Sequence, residues 1–80
     1  MREGTLIFDE RRDRYDIRFD LADYYGGLQC GDCLEVFTGG KWKSARMEYG
    51  DNWYLVGIHT DDLNGLRVRI EYCLLYTSDA

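Results

Sequence analysis

The fold of this chain follows from the stretch Arg14-Tyr15-Asp16-Ile17-Arg18-Phe19. Its apolar residues alternate with charged ones, so an extended backbone places the apolar side chains on one face and the charged side chains on the other. This period of two predicts a half-buried β-strand. The apolar run Thr5-Leu6-Ile7-Phe8 precedes it, and the polar residues 10–13 between the two runs predict an N-terminal β-hairpin.

Residues 33–49 predict a second hairpin. Leu34 and Val36 alternate with polar neighbours, and Gly39-Gly40 predicts a tight turn because glycine adopts a positive φ without steric cost. The returning strand changes the parity of its apolar residues near Ser44, which favours a β-bulge or a bend at that point.

Two further strands are predicted toward the C-terminus. Residues 53–58, Trp-Tyr-Leu-Val-Gly-Ile, are apolar on both faces, which is typical of the central strand of a small barrel or sheet that is buried from two sides. Residues 66–72 alternate between apolar and charged side chains and predict the last strand. The glycine-containing stretch 20–32 has no sustained period and predicts a long loop.

Composition favours one small domain. A chain of 80 residues with 45% hydrophobic and 15% aromatic residues is too apolar to be disordered and too short for two cores. The short predicted strands, without an amphipathic helix or a proline, indicate an all-β fold. We expect a small antiparallel barrel of about five to six strands that begins with the N-terminal hairpin.

The last eight residues, Cys73 to Ala80, look like a translated sequencing-library adapter. We therefore expect a single domain over residues 1–72 and regard 73–80 as read-through that is not native. No apolar run approaches the roughly 20 residues of a membrane span, and the N-terminus lacks a signal peptide. The odd number of cysteines agrees with a reducing compartment, so we expect a cytoplasmic protein without a membrane partner.

Five ordered strings resemble domain-of-unknown-function family 5348, a family of short bacterial proteins, many of them from mobile elements. The strings cover 28–36, 40–42, 46–48, 53–58 and 66–70. The resemblance extends from about Gly4 to Ile70 and implies no assigned activity. More loosely, the Gly-x-Trp and Trp-Tyr strings are similar to SH3-like barrels, which bind peptides or nucleic acids; this link implies an SH3-like barrel by fold analogy alone.

Cys30 and Cys33 are candidate metal ligands, because two thiolates at this spacing form half of a tetrahedral zinc site. Only His59 and Cys73 remain as further soft ligands, and neither has ligand spacing. A metal shared between two chains stays open as an alternative. The simpler interpretation is two small residues at a tight turn before a strand, so we expect no metal and no cofactor.

The sequence contains no catalytic constellation. His59 is followed by acidic residues that could orient it as a base, but no nucleophile motif, carboxylate pair or phosphate-binding loop accompanies it. We expect a loop histidine in a protein that is not an enzyme.

Nucleic-acid binding is an alternative function, because six basic residues fall on the polar faces of predicted strands. They are Arg14, Arg18, Lys41, Lys43, Arg67 and Arg69. Acidic residues, among them Asp16 and Glu35, alternate with these bases on the same polar faces. The net charge of −5 also repels phosphates, so the basic stripe is the weaker hypothesis.

Aromatic residues support the leading hypothesis, a protein-binding or peptide-binding accessory module. The chain has too many aromatic side chains to bury them all in so small a core, so some are expected in an exposed patch. SH3-like barrels hold extended peptides in aromatic grooves. We take Trp42, Tyr49 and Trp53 as the candidate contacts.

Overall fold

Alternating apolar residues give the described part of the chain seven antiparallel β-strands in one sheet. In this computed structural model the described residues are 1–60 and 62–71, and no helix occurs among them. The strands are β1 (Arg2–Asp9), β2 (Arg14–Asp20), β3 (Asp23–Tyr24), β4 (Cys33–Thr38), β5 (Lys41–Tyr49), β6 (Trp53–Val56) and β7 (Arg67–Ile70). Their order across the sheet is β3-β2-β1-β7-β4-β5-β6. The all-β prediction is confirmed.

Both predicted hairpins are present. β1 pairs with β2 in a register that places Leu6 opposite Ile17. In the polar turn between them, the carboxylate of Asp9 accepts hydrogen bonds from the backbone N–H groups of Arg11 and Arg12. β4 pairs with β5 through a turn in which Gly39 and Gly40 have φ of 62° and 80°. The turn chemistry visible in the sequence therefore sets the strand connections.

One face of the sheet carries the hydrophobic core, and we call it the core face. Its fully buried side chains come from several strands and one loop: Leu6, Ile17, Leu28, Val36, Met47 and Val68. Leu28 lies in the glycine-containing stretch that the sequence predicts as a loop, and it is as buried as the strand residues. The opposite, outer face is built from the polar positions of the same strands.

The sheet is curved but not closed by a strand pair. β3 and β6 form its two edges within the described residues, so the predicted barrel lacks closure, and the short β3 raises the strand count to seven. The indole N–H of Trp53 donates a 3.0 Å hydrogen bond to the carbonyl of Asp13 in the β1–β2 turn. This side-chain contact joins β6 to the N-terminal hairpin without a backbone ladder.

The structure corrects two predictions about β5 and β6. β5 pairs with β4 without a break from Cys33↔Arg46 to Thr38↔Lys41, so there is no bulge at Ser44; the parity changes because Trp42 lies on the outer face. β6 was predicted as a central strand, but it ends at Val56 and lies at the edge of the sheet. The apolar residues on its second face are exposed instead of covered.

The predicted boundary at residue 72 and the adapter-like segment 73–80 lie outside the described residues. None of the described residues forms a helix long and apolar enough to span a bilayer.

Candidate functional site

The three candidate aromatic residues do not form one cluster. Trp42 lies on the outer face of β5, because it alternates with the buried Ala45 and Met47. Tyr49 and Trp53 are opposite each other on the core face of β5 and β6. The predicted three-residue patch is thus divided between two faces of the sheet.

Trp42 is already engaged by its neighbours on the outer face. Its ring meets Phe37 edge-on, with 5.2 Å between the ring centroids. The guanidinium of Arg69 lies 4.3 Å from the centroid of the indole, and that of Arg67 lies 5.6 Å away. These contacts are favourable cation–π interactions that cover the ring and leave it half-buried.

Tyr49 and Trp53 begin a patch that continues along the edge strand. Their rings pack edge-to-face at 4.8 Å, and Tyr49 is 53% exposed. On the outer face of the same strand, Tyr54 and Val56 are 49% and 38% exposed. These four residues, Tyr49, Trp53, Tyr54 and Val56, surround the edge strand on both of its faces, and we call them the β6 patch.

Tyr54 and Val56 are the members of the patch that sequence reasoning missed. Their strand was predicted to be central, where both side chains would be covered. The position of a strand in the sheet depends on pairing between distant segments, and the local sequence pattern does not predict that pairing. The one available signal was Gly57, which has φ of 97° and follows Val56 directly, so that the strand ends early.

The backbone of β6 is also available at the sheet edge. Met47 donates its N–H to Asp32 and accepts a bond from Gly31, so both its backbone groups point toward β4. In an antiparallel ladder neighbouring residues alternate in direction. Arg46 and Glu48 therefore face β6, and the backbone groups of Trp53 and Leu55 face away from β5.

The six basic residues are not arranged in one stripe. Lys43 is opposite Val36 and so points to the core-face side with Lys41, whereas Arg67 and Arg69 flank the buried Val68 and point outward. Arg14 and Arg18 share the outward parity of Arg67 through the β1–β2 and β1–β7 pairs.

The two outer-face arginines of β7 are paired with carboxylates. The Nε of Arg67 lies 2.5 Å from Glu3, and that of Arg69 lies 2.6 Å from Glu35. Their positive charge is locally balanced, which reduces the electrostatic attraction for phosphate.

Cys30 and Cys33 are both exposed, free thiols at a tight turn. The turn is closed by a 3.1 Å bond from the N–H of Asp32 to the carbonyl of Gln29, and Gly31 has φ of 93°. Residues 1–60 and 62–71 contain no group of three or more His, Cys, Asp or Glu side chains arranged to hold a metal ion. The geometry fits the simpler interpretation of this motif, a turn before β4.

The phenol of Tyr15 lies in an environment that perturbs its pKa. Burial raises the pKa of Tyr15, and the negative charge of Asp62 raises it further. Tyr15 packs against the core and edge-on against Phe8, with 5.1 Å between the ring centroids. His59 is exposed in the loop after β6, as the sequence predicts.

Comparison with known proteins places these features in a family. The sequence model of the family described as Domain of unknown function (DUF5348) matches residues 4–70. A crystal structure of a protein from Ruminococcus gnavus, determined by the Northeast Structural Genomics Consortium, has 55% sequence identity to this chain and a TM-score of 0.84. The alignment covers 86% of this chain and 100% of that one. No curated protein matches the chain. Because the family match spans most of the sequence and agrees with the resemblance noted above, the chain belongs to the DUF5348 family.

Proposed function

We propose that this protein is a non-catalytic module that binds another protein chain through the β6 patch. The observation that carries the proposal is the clustering of exposed apolar surface at one edge strand. Tyr49, Tyr54 and Val56 are three of the six large hydrophobic residues that are exposed in the described part of the chain. Clustered apolar surface of this kind is characteristic of interaction sites.

The chemistry of the patch suits a protein partner better than a nucleic acid. Tyrosine and tryptophan combine apolar area with a polar group and are enriched where proteins meet. The patch carries no basic side chain, and the tryptophan nearest to arginines, Trp42, is covered by them. A surface that binds single-stranded nucleic acid would need exposed aromatic rings for base stacking and basic side chains for phosphate contacts at the same place.

A peptide-display selection tests the proposal. The full chain would be presented with a library of random linear peptides, and selected peptides would be measured by fluorescence anisotropy. We expect them to bind the native chain and to bind the double variant Tyr49→Ser, Tyr54→Ser at least tenfold more weakly, because the central aromatic anchors are lost. The matched control is Tyr24→Ser, which changes a tyrosine of similar exposure on β3 at the other edge.

Two results would contradict the proposal. One is binding of equal strength by the native chain and the double variant. The other is a labelled single-stranded or duplex oligonucleotide that binds the native chain with an affinity that falls steeply as salt increases, which is the behaviour expected of phosphate contacts.

A further inference from the structure

The edge strand β6 has a sequence that does not match its position. Trp53, Tyr54, Leu55 and Val56 are apolar on both faces, a pattern typical of a strand whose two faces are both covered, which is unusual for a strand at the edge of a sheet. Within residues 1–60 and 62–71, the sheet supplies β6 with one neighbouring strand, β5. Among the described strands, β5 is also the one that packs closely along β6.

This edge lacks the charged residues, the proline and the bulge that usually protect an exposed strand against pairing. Exposed edges are normally blocked by charged residues, proline, a bulge or very short length. β6 contains no charge and no proline, and its pairing with β5 runs in register from Arg46↔Val56 to Tyr49↔Trp53. The opposite edge differs, since β3 has two residues and its Asp23 is held in an ion pair with Arg2.

We propose that the missing neighbour is β6 of a second copy of this chain, paired antiparallel across a two-fold axis. The inference rests on the proposed function, because it names the partner of the same patch. A second copy fits because it meets uncharged strand with uncharged strand, and because each copy supplies the apolar neighbour that the other lacks. The result is one sheet that continues through both copies.

The directions of the backbone groups define the register. Trp53 and Leu55 both point their N–H and C=O groups away from β5, so Trp53 of one copy pairs with Leu55 of the second, and the reciprocal pair forms by symmetry. The carbonyl of Leu55 also accepts the N–H of Ile58 at 3.2 Å and has a second lone pair for the new bond. Each of the two pairs exchanges an N–H···O bond in both directions.

Tyr54 is the residue on the two-fold axis in this register. It lies between the two bonded pairs, where antiparallel strands bring directly opposed side chains closest together. Both Tyr54 side chains would be on the outer face, where each is 49% exposed in the single chain. Aromatic cross-strand pairs of this kind stabilise antiparallel sheets.

Net charge gives the association a characteristic dependence on salt. Each chain carries a net charge of −5, so two copies repel each other at long range, while the strands that meet are uncharged. Salt screens the repulsion and leaves the apolar contact intact. We therefore expect the dimer to become tighter as salt increases.

Sedimentation equilibrium of the full chain, over concentrations from micromolar to millimolar, tests the inference. We expect a monomer–dimer equilibrium in the native chain and a dissociation constant at least tenfold higher for Tyr54→Lys. The substitution places two like charges opposite each other on the axis and acts on both copies. The control is Tyr24→Lys, which adds the same charge at an exposed tyrosine on the other edge and should leave the dissociation constant unchanged. Far-ultraviolet circular dichroism of both variants at low concentration confirms that each is folded.

Each outcome decides between the two proposals. A native chain that stays monomeric up to millimolar concentration overturns the self-pairing, and so does a dimer that Tyr54→Lys and Tyr24→Lys weaken equally. A monomer that still binds display-selected peptides through Tyr49 and Tyr54 overturns the self-pairing but leaves the proposed function intact. A chain that neither self-associates nor binds peptides overturns both the self-pairing and the proposed function.

Discussion

At the residue scale, Asp16 shows how one carboxylate organises a loop. Its Oδ1 accepts hydrogen bonds from the N–H groups of Ile17, Gly26 and Gly27 at 2.8, 2.9 and 2.8 Å. Asp16 is 5% exposed, whereas the alternation of β2 predicts a charge on the polar face. Asp16 does lie on the outer face of β2, but it is covered there, because the segment around Gly26 folds over it in a contact between residues ten positions apart.

Replacement of Asp16 tests this role. We expect Asp16→Ala to lower the free energy of unfolding by about 3 kcal/mol, because three backbone donors lose a charged acceptor. Asp16→Asn keeps an acceptor oxygen and should cost clearly less. Urea denaturation of the two variants measures the difference. Equal losses for Ala and Asn would show that the acceptor geometry is not what stabilises the loop.

Tyr15 gives a pH dependence at the alkaline end. Its pKa is raised above 10.0 by burial and, secondarily, by Asp62. The folded state therefore holds the phenol proton to higher pH than the unfolded state does, so the stabilising contribution is complete below about pH 10 and is lost as pH rises through the folded-state pKa. Asp62→Asn should lower the pKa of Tyr15 only part of the way toward its ordinary value, because burial remains. Nuclear magnetic resonance titration of the Tyr15 ring carbons measures the pKa of Tyr15 in the native chain and in Asp62→Asn. An unchanged pKa in Asp62→Asn would exclude the carboxylate as a cause.

At the scale of the elements, β1 depends on one glycine to pack against β2. A Cβ at Gly4 would lie 2.5 Å from the carbonyl oxygen of Arg18 and 2.8 Å from the Cγ2 of Ile17. Backbone cannot move aside as a flexible side chain can, so the close approach of the two strands requires a residue without a side chain. Local alternation predicts the hairpin but not this steric requirement.

Gly4→Ala is expected to destabilise the protein by about 1–3 kcal/mol, the usual cost of forcing an extra carbon into a packed site. Gly50→Ala is the matched control, because a Cβ there would meet Tyr54 at an ordinary 3.7 Å. We expect the control to change stability by less than about 0.5 kcal/mol. Thermal unfolding followed by circular dichroism compares them. A control as damaging as Gly4→Ala would mean that the general effect of glycine replacement, not the contact with β2, dominates.

Strand β6 shows that the local sequence predicts a strand but not the position of that strand in the sheet. Its residues predict a strand correctly, and Leu55 is buried as expected. Its place at the edge follows from the path of the chain after Val56, which turns through Gly57 and leads to β7 between β1 and β4 instead of beside β6. The exposure of Tyr54 and Val56 is a property of the sheet order.

At the scale of the whole molecule, one core stabilises the domain. The buried hydrophobic residues run from Leu6 to Ile70 and come from both hairpins, β6, β7 and two loops. The fold brings residues from the two ends of the described chain together, because β1 pairs with β7 in a register from Arg2↔Ile70 to Thr5↔Arg67. Pairing of β1 with β7 therefore joins the N-terminal hairpin to the second half of the described chain.

Removal of residues 73–80 tests whether this adapter-like segment contributes to the fold. We expect a chain that ends at Tyr72 to keep the free energy of unfolding of the full chain to within about 0.5 kcal/mol, the range of changes away from packed sites. Parallel urea denaturation of the two chains measures it. A loss of several kcal/mol would show that the segment contributes to the fold and would contradict its interpretation as adapter read-through.

The sequence by itself determined the all-β class, the two hairpins and the alternation that separates core from surface, because these depend on neighbouring residues and on turns closed by glycine and aspartate. Tertiary structure alone decided the order of the strands, the burial of Asp16, the separation of Trp42 from Tyr49 and Trp53, and the exposed edge at β6. The physical reason is that each of these depends on contacts between residues far apart in the chain. A local pattern says that a side chain has an apolar or a polar face, and only the assembled sheet determines what covers it.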